Sequence, residues 1–149
     1  MILEGGSKFP DILHCGEYPL LMVSERVVTV WNKARIKSFR KFPLRIRKAI
    51  HSKVDLGAAP KYFRIEFTGE CMVDFPASRL RITGVCTRCG QLSWRVREPQ
   101  RFKLLEGSWD GSDLFRDIGH FPRVTFCTQK CADVMRSAGL TNLSLEEVG

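Results

Sequence analysis

Two distant stretches of the chain carry the same order of residue types, and such a repeat restricts the fold more than any other feature of the sequence. Asp11-Ile12-Leu13 is echoed by Asp113-Leu114-Phe115, and Tyr18-Pro19 by Phe121-Pro122. A short apolar run follows in each copy, ending at Val23 or Cys127, and then a hydroxyl residue, Ser24 or Thr128. Such a residue suits a helix N-cap, because its oxygen accepts from the first unpaired N–H groups. Val27, Val28, Trp31 and Ala34 then recur at helical spacing, as do Cys131, Val134, Met135 and Ala138. Lys33 and Arg35 suit the negative end of the first helix, and Gly139 the position just past the second. A strand is expected after each helix. In the first copy Phe42, Leu44 and Ile46 face one way, Arg45 and Arg47 the other, and Pro43 places the strand at a sheet edge. In the second, Leu143 and Leu145 begin it. The copies span about 11–46 and 113–148. Two copies are too few for a solenoid and are read as a duplicated unit sharing a sheet. Chance likeness of two strand–helix–strand stretches is the competing reading.

Between the copies, residues of about 60–98 are strand-like. Phe63, Ile65 and Phe67 alternate with Arg64 and Glu66, and Thr68-Gly69-Glu70 is expected to turn the chain so that Cys71 to Phe75 returns as a hairpin. Leu80 and Ile82 alternate with Arg79, Arg81 and Thr83. Leu92, Trp94 and Val96 alternate with Ser93, Arg95 and Arg97. Cys86-Thr87-Arg88-Cys89-Gly90 therefore lies at a hairpin tip, and Pro99 to Gly111 reads as a loop. The expected fold class is α+β: one domain over 1–149, a mostly antiparallel sheet, two strand–helix–strand units in a quasi-repeat and a zinc-ribbon-like β-hairpin between them.

Two thiols separated by two residues and followed by glycine match half of a zinc-ribbon site. Glycine can close the turn at positive φ, and turn N–H groups then stabilise the sulfurs as thiolates. Cys86 and Cys89 are the candidate ligands of a structural zinc ion, and a metal-free turn with two thiols stays open beside it. Two further ligands would come from Cys15, Cys71, Cys127, Cys131, His14, His51 and His120. Cys127 and Cys131 align with Val23 and Val27, so they read as small apolar core residues rather than ligands. His14-Cys15 falls in a polar loop and is harder to explain by packing. A thiol redox use of the CxxC motif is disfavoured, because the oxidoreductase arrangement sets the pair at a helix N-terminus and strand-like residues follow here.

With 149 residues, 44% apolar and 27% charged, the chain can bury a sizeable core without cross-links. The absence of a long apolar run argues against a membrane span, and the start of the chain lacks the look of a secretory signal, so a cytoplasmic setting is the expectation. The net charge of +8 is unevenly placed: from Lys33 to Lys53 there are nine Lys or Arg and no Asp or Glu. Such a run favours an acidic protein or a polyanion, with a merely solvated face as the bland reading. Lys37, Arg40, Lys41, Arg45 and Arg47 are the candidate partner-binding residues. Phe39, Phe42, Trp31 and Trp94 could add base stacking for nucleic acid, but their periodicity assigns them to the core and no named recognition motif occurs. No nucleophile context or glycine-rich phosphate loop appears, so the chain is expected not to be an enzyme.

Three stretches together resemble the C-terminal part of the myxobacterial double-CXXCG motif family. Pro19-Leu20-Leu21-Met22-Val23-Ser24-Glu25-Arg26 is similar to its strand-to-helix junction, and Cys86 to Gly90 to its second CXXCG. Asp113-Leu114-Phe115-Arg116, with Phe121-Pro122 and the helix from Thr128 to Ala138, is similar to its closing segment. The first CXXCG of that family has no counterpart here. The resemblance implies a bacterial immunity protein that binds and neutralises a cognate toxin, without catalytic residues. A basic zinc-ribbon-like nucleic-acid-binding protein is the alternative, and a CxxC redox protein the third.

Overall fold

The computed structural model describes residues 2–4, 7–14, 21–50, 53–88, 92–96, 102–119, 121 and 124–148. The first copy contributes β2 (Ile12–His14), β3 (Leu21–Ser24), α1 (Glu25–Lys33) and β4 (Phe39–Leu44), after a short β1 (Ile2–Glu4). β5 (Lys48–Ile50), which pairs in parallel with β1, precedes β6 (Tyr62–Phe67) and β7 (Gly69–Cys71). β8 (Leu80–Val85) and β9 (Leu92–Val96) form the hairpin, and the second copy supplies β10 (Leu114–Asp117), β11 (Thr125–Cys127) and α2 (Gln129–Ser137). The fold is α+β and its sheets are mostly antiparallel.

β2, β3, β6 and β4 form a four-stranded antiparallel sheet in that spatial order. Odd residues of β6 face the helices: Ile65 and Phe67 pack with Val23, Val27, Val28, Trp31, Cys131 and Met135 in the largest buried cluster. On the other face Leu13, Met22 and Tyr62 are buried, with Leu44, Ile46 and Val54 against them. β7, β10 and β11 make a second sheet whose outer side carries Cys71, Phe115, Phe121 and Phe126. Leu114 joins the first cluster and Phe115 the second, the alternation that a strand between two cores requires.

The two copies share the form of their strand-to-helix junction, but they lie in separate sheets rather than one, and no strand follows α2 among the described residues. In both copies the hydroxyl residue before a nine-residue helix is tied to the aspartate that opens the unit: Ser24 Oγ donates to Asp11 Oδ1 at 2.8 Å, and Thr128 Oγ1 to Asp113 Oδ1 at 3.0 Å. A cation two residues later completes each set, Arg26 on Asp11 at 2.6 Å and Lys130 on Asp113 at 3.2 Å. Each helix ends at an alanine followed by a residue of positive φ, Arg35 at 56° and Gly139 at 59°. Ile36 and Leu140 then return an N–H to the carbonyl of Trp31 and Met135 respectively.

Several local expectations are corrected. Ser24 donates to Asp11 but does not cap α1 through its oxygen, whereas Thr128 both donates to Asp113 and caps α2, accepting from Cys131 N. Gly69 does not reverse the chain. β6 runs on into β7, which pairs in parallel with β10, and a Cβ on Gly69 would lie 2.4 Å from the Leu114 carbonyl oxygen and 2.4 Å from Ser112 Cβ. Glycine is needed there for close approach, not for a turn. Leu143 and Leu145 pack against the main cluster without forming a strand, since Asn142 at φ 58° bends the chain beforehand.

Candidate partner-binding edge and cysteine turn

α1 ends at Ala34, and Arg35 and Ser38, both at positive φ, swing the chain back along the sheet as β4. β4 is the last strand of its sheet, as Pro43 predicted. Ser38 O accepts from Thr68 N at 2.9 Å, which sets the phase of the ladder. Antiparallel pairs alternate between hydrogen-bonded and open, so Arg40, Phe42 and Leu44 bond inward to Glu66, Arg64 and Tyr62. Arg40 and Lys41 are exposed on this edge strand, and Lys37, Arg45 and Arg47 are exposed in the chain just before and after it. Arg40 and Lys41 share an edge rather than one sheet face: Lys41 stands on the helix side with Phe63, and Arg40 on the opposite side with Phe42. Lys37, Arg40, Lys41 and Arg47 make no ion pair with any described residue.

Two aromatic rings organise these charges, and sequence reading did not single them out for that role. Lys41 Nζ lies 4.9 Å from the centre of the Phe63 ring, and the Arg64 guanidinium 4.5 Å from that of Phe42. Phe42 is 37% exposed, so it is not the core residue its periodicity implied. Trp31, at 1%, and Phe39, edge-on to it at 5.0 Å, are placed in the core as expected. The alternation along β4 and β6 was visible in the sequence; the cross-strand register that brings rings and cations together was not.

The cysteine stretch lies between the two strands of a paired hairpin, as expected, with Arg81 opposite Arg95, Ile82 opposite Trp94 and a bulge between Ile82 and Gly84. Cys86 is exposed just beyond β8; Cys89 and Gly90 lie outside the described residues. So do Cys15, His51, His120 and Tyr18-Pro19. Among the described residues no group of three or more His, Cys, Asp or Glu is placed to hold a metal ion. Cys71 is fully buried in the second cluster and Cys131 in the first, with Cys127 packed beside it. Burial, then the charges of Asp117 and Asp110, pushes the Cys71 thiol up to about 12. The neighbouring Cys127 sulfur and burial push the Cys131 thiol up, while the same pairing of sulfurs lowers Cys127. The described residues thus bring one sulfur, Cys86, to the turn, and alone they do not make a zinc site.

No protein-family model and no curated protein matches this chain.

Proposed function

We propose that the protein is a non-enzymatic binding module whose working surface is the basic edge of β4 with its flanks, used to engage an acidic protein partner. The observation that carries this reading is that Arg40 and Lys41 are exposed on an edge strand and Lys37, Arg45 and Arg47 are exposed in the chain directly before and after it. Exposed charges of one sign speed encounter with a partner of the opposite sign and select its orientation. Neutralisation of a toxin is the function proposed, on the resemblance to the double-CXXCG immunity family. A basic inhibitor fits a target that is not a nuclease, since inhibitors of nucleases present acid. In this reading a zinc ion on Cys86 and Cys89 is structural and optional.

The test is co-expression with the product of the adjacent reading frame, followed by co-purification. Reversing Lys37, Arg40, Lys41, Arg45 and Arg47 to Glu is expected to abolish capture; capture unchanged by the reversal would remove the reading. A second reading, nucleic-acid binding, is favoured by the exposed Arg79, Arg81, Arg88 and Arg95 on and around the hairpin. It requires salt-dependent retention of single- or double-stranded nucleic acid by the purified protein.

A further inference from the structure

The two edges of the four-stranded sheet are treated differently. At the β2 edge, Ile12 N–H donates to Thr141 O at 3.3 Å and Ile12 O accepts from Asn142 Nδ2 at 2.7 Å, so a chain segment lies against it. At the β4 edge the ladder phase turns the N–H and C=O of Phe39 and Lys41 outward, with the C=O of Pro43, and among the described residues none of these groups has a hydrogen-bond partner. An unpaired edge is a template for another strand. Proteins guard such edges with lysine, proline or charges directed across them. Here the guard is incomplete. Lys41 is drawn back over the Phe63 ring of the neighbouring strand, and Arg64 over Phe42, so both cations lean across the sheet faces. Pro43 blocks only one end.

We infer that the bare edge of β4 binds an extended segment of an acidic protein, which adds to the sheet as a fifth strand beside Phe39–Lys41. The occupant is set by charge: Arg40 and Lys41 stand on the edge strand, Lys37, Arg45 and Arg47 flank it in the chain, and no Asp or Glu occurs between Lys33 and Lys53. Backbone hydrogen bonds from Phe39 and Lys41 supply register, and carboxylates at alternate positions of the segment share one sheet face, where they meet Lys41 or Arg40 according to that register. The inference rests on the basic-edge reading proposed above and names its mode of recognition.

The test uses the full chain and a blocked nine-residue peptide in which Glu alternates with Thr and Val, measured by fluorescence anisotropy at low ionic strength. Lys41→Ala and Lys41→Pro remove the same charge, but only the second removes the outward N–H. Proline is already accepted in this phase of the strand at Pro43, so the fold is expected to survive. Lys41→Pro is expected to bind the peptide at least tenfold more weakly than Lys41→Ala. Independently, saturating peptide is expected to slow amide exchange at Phe39 and Lys41 of the unsubstituted protein. Equal binding by the two variants, unprotected Phe39 and Lys41 amides, or no binding at millimolar peptide would each overturn the added strand. Preferential binding of a single-stranded oligonucleotide of similar length would overturn it as well. If the amides stay unprotected while charge reversal still abolishes partner capture, the basic-edge reading stands and the added strand falls; if reversal leaves capture intact, the reading itself falls.

Discussion

The two copies of the strand–helix unit share a hydrogen-bond scheme and differ in how far each is locked in place. Asp113 is held by Thr128 and Lys130, both from its own copy. Asp11 is held by Ser24 and Arg26 and also by the Thr141 N–H at 3.0 Å and hydroxyl at 3.1 Å, from the end of the other copy. Arg26 reaches further, donating to the Gly139 and Ala138 carbonyls where α2 ends. There it supplies the cation and the donors that a helix C-terminus lacks. Lys130 makes no such bond to the end of α1 among the described residues. One aspartate finishes a local turn; its counterpart ties the two ends of the chain together. A motif of the same residues thus gains most of its energetic weight from neighbours that sequence does not place.

That contrast can be broken most sharply at the aspartates. Asp11→Ala removes together the acceptor of the Ser24 hydroxyl, of the Thr141 N–H and hydroxyl, and of the half-exposed Arg26. It is expected to cost about 3 kcal/mol, at about 1 kcal/mol for each hydrogen bond lost from the partly buried groups. Asp113→Ala should cost about 1 kcal/mol, as one hydroxyl bond and one half-exposed ion pair are lost. Urea unfolding of both variants decides it, and equal losses would show that the cross-copy bonds contribute nothing.

Acid gives a smaller effect in the same direction. Burial alone would raise the Asp11 carboxyl, but the hydrogen bonds from Thr141 and Ser24 and the charge of Arg26 outweigh it and hold the group below its ordinary 3.8. A depressed folded-state value means that the unfolded chain takes up the proton first. The contribution of Asp11 is therefore complete above the ordinary value and fades as pH falls through the lowered one. Thermal melts below pH 4 should show a steeper loss for the unsubstituted protein than for Asp11→Asn. Parallel curves would remove the assignment.

The cations complete the series. Arg26→Ala is expected to cost about 1.5 kcal/mol, since a carboxylate and two helix-end carbonyls lose their donor. Lys130→Ala should cost about 0.5 kcal/mol or less, as for an exposed pair. If the order were reversed, Arg26 would not be joining the copies.

Much of this architecture was legible beforehand. The apolar spacing from Val27 to Trp31 and from Cys131 to Met135 marks both helices, and each is buried on the face that this spacing selects. Pro43 places β4 at an edge because a residue without N–H cannot sit inside a ladder. The hairpin around the CxxC is likewise paired as its alternation implied. Other signals misled where a residue has two uses. Gly69 can reverse a chain or admit a close backbone, and only the arrival of Ser112 and Leu114 selects the second. Ser24 can cap a helix, bond a carboxylate or do both as Thr128 does, and only the fold shows that it makes the bond to Asp11 alone.

Periodicity, backbone stereochemistry and charge act between near neighbours in the chain, so the sequence alone determined the two helices, the edge strand at Pro43, the hairpin around the cysteine turn and the basic character of the stretch around β4. Tertiary structure decided which strand lies beside which: that β7 joins β10, that residues 141 and 142 close the β2 edge, and that Lys41 and Arg64 are drawn onto the Phe63 and Phe42 rings. Those choices depend on contacts between segments far apart in the chain, which no local preference encodes.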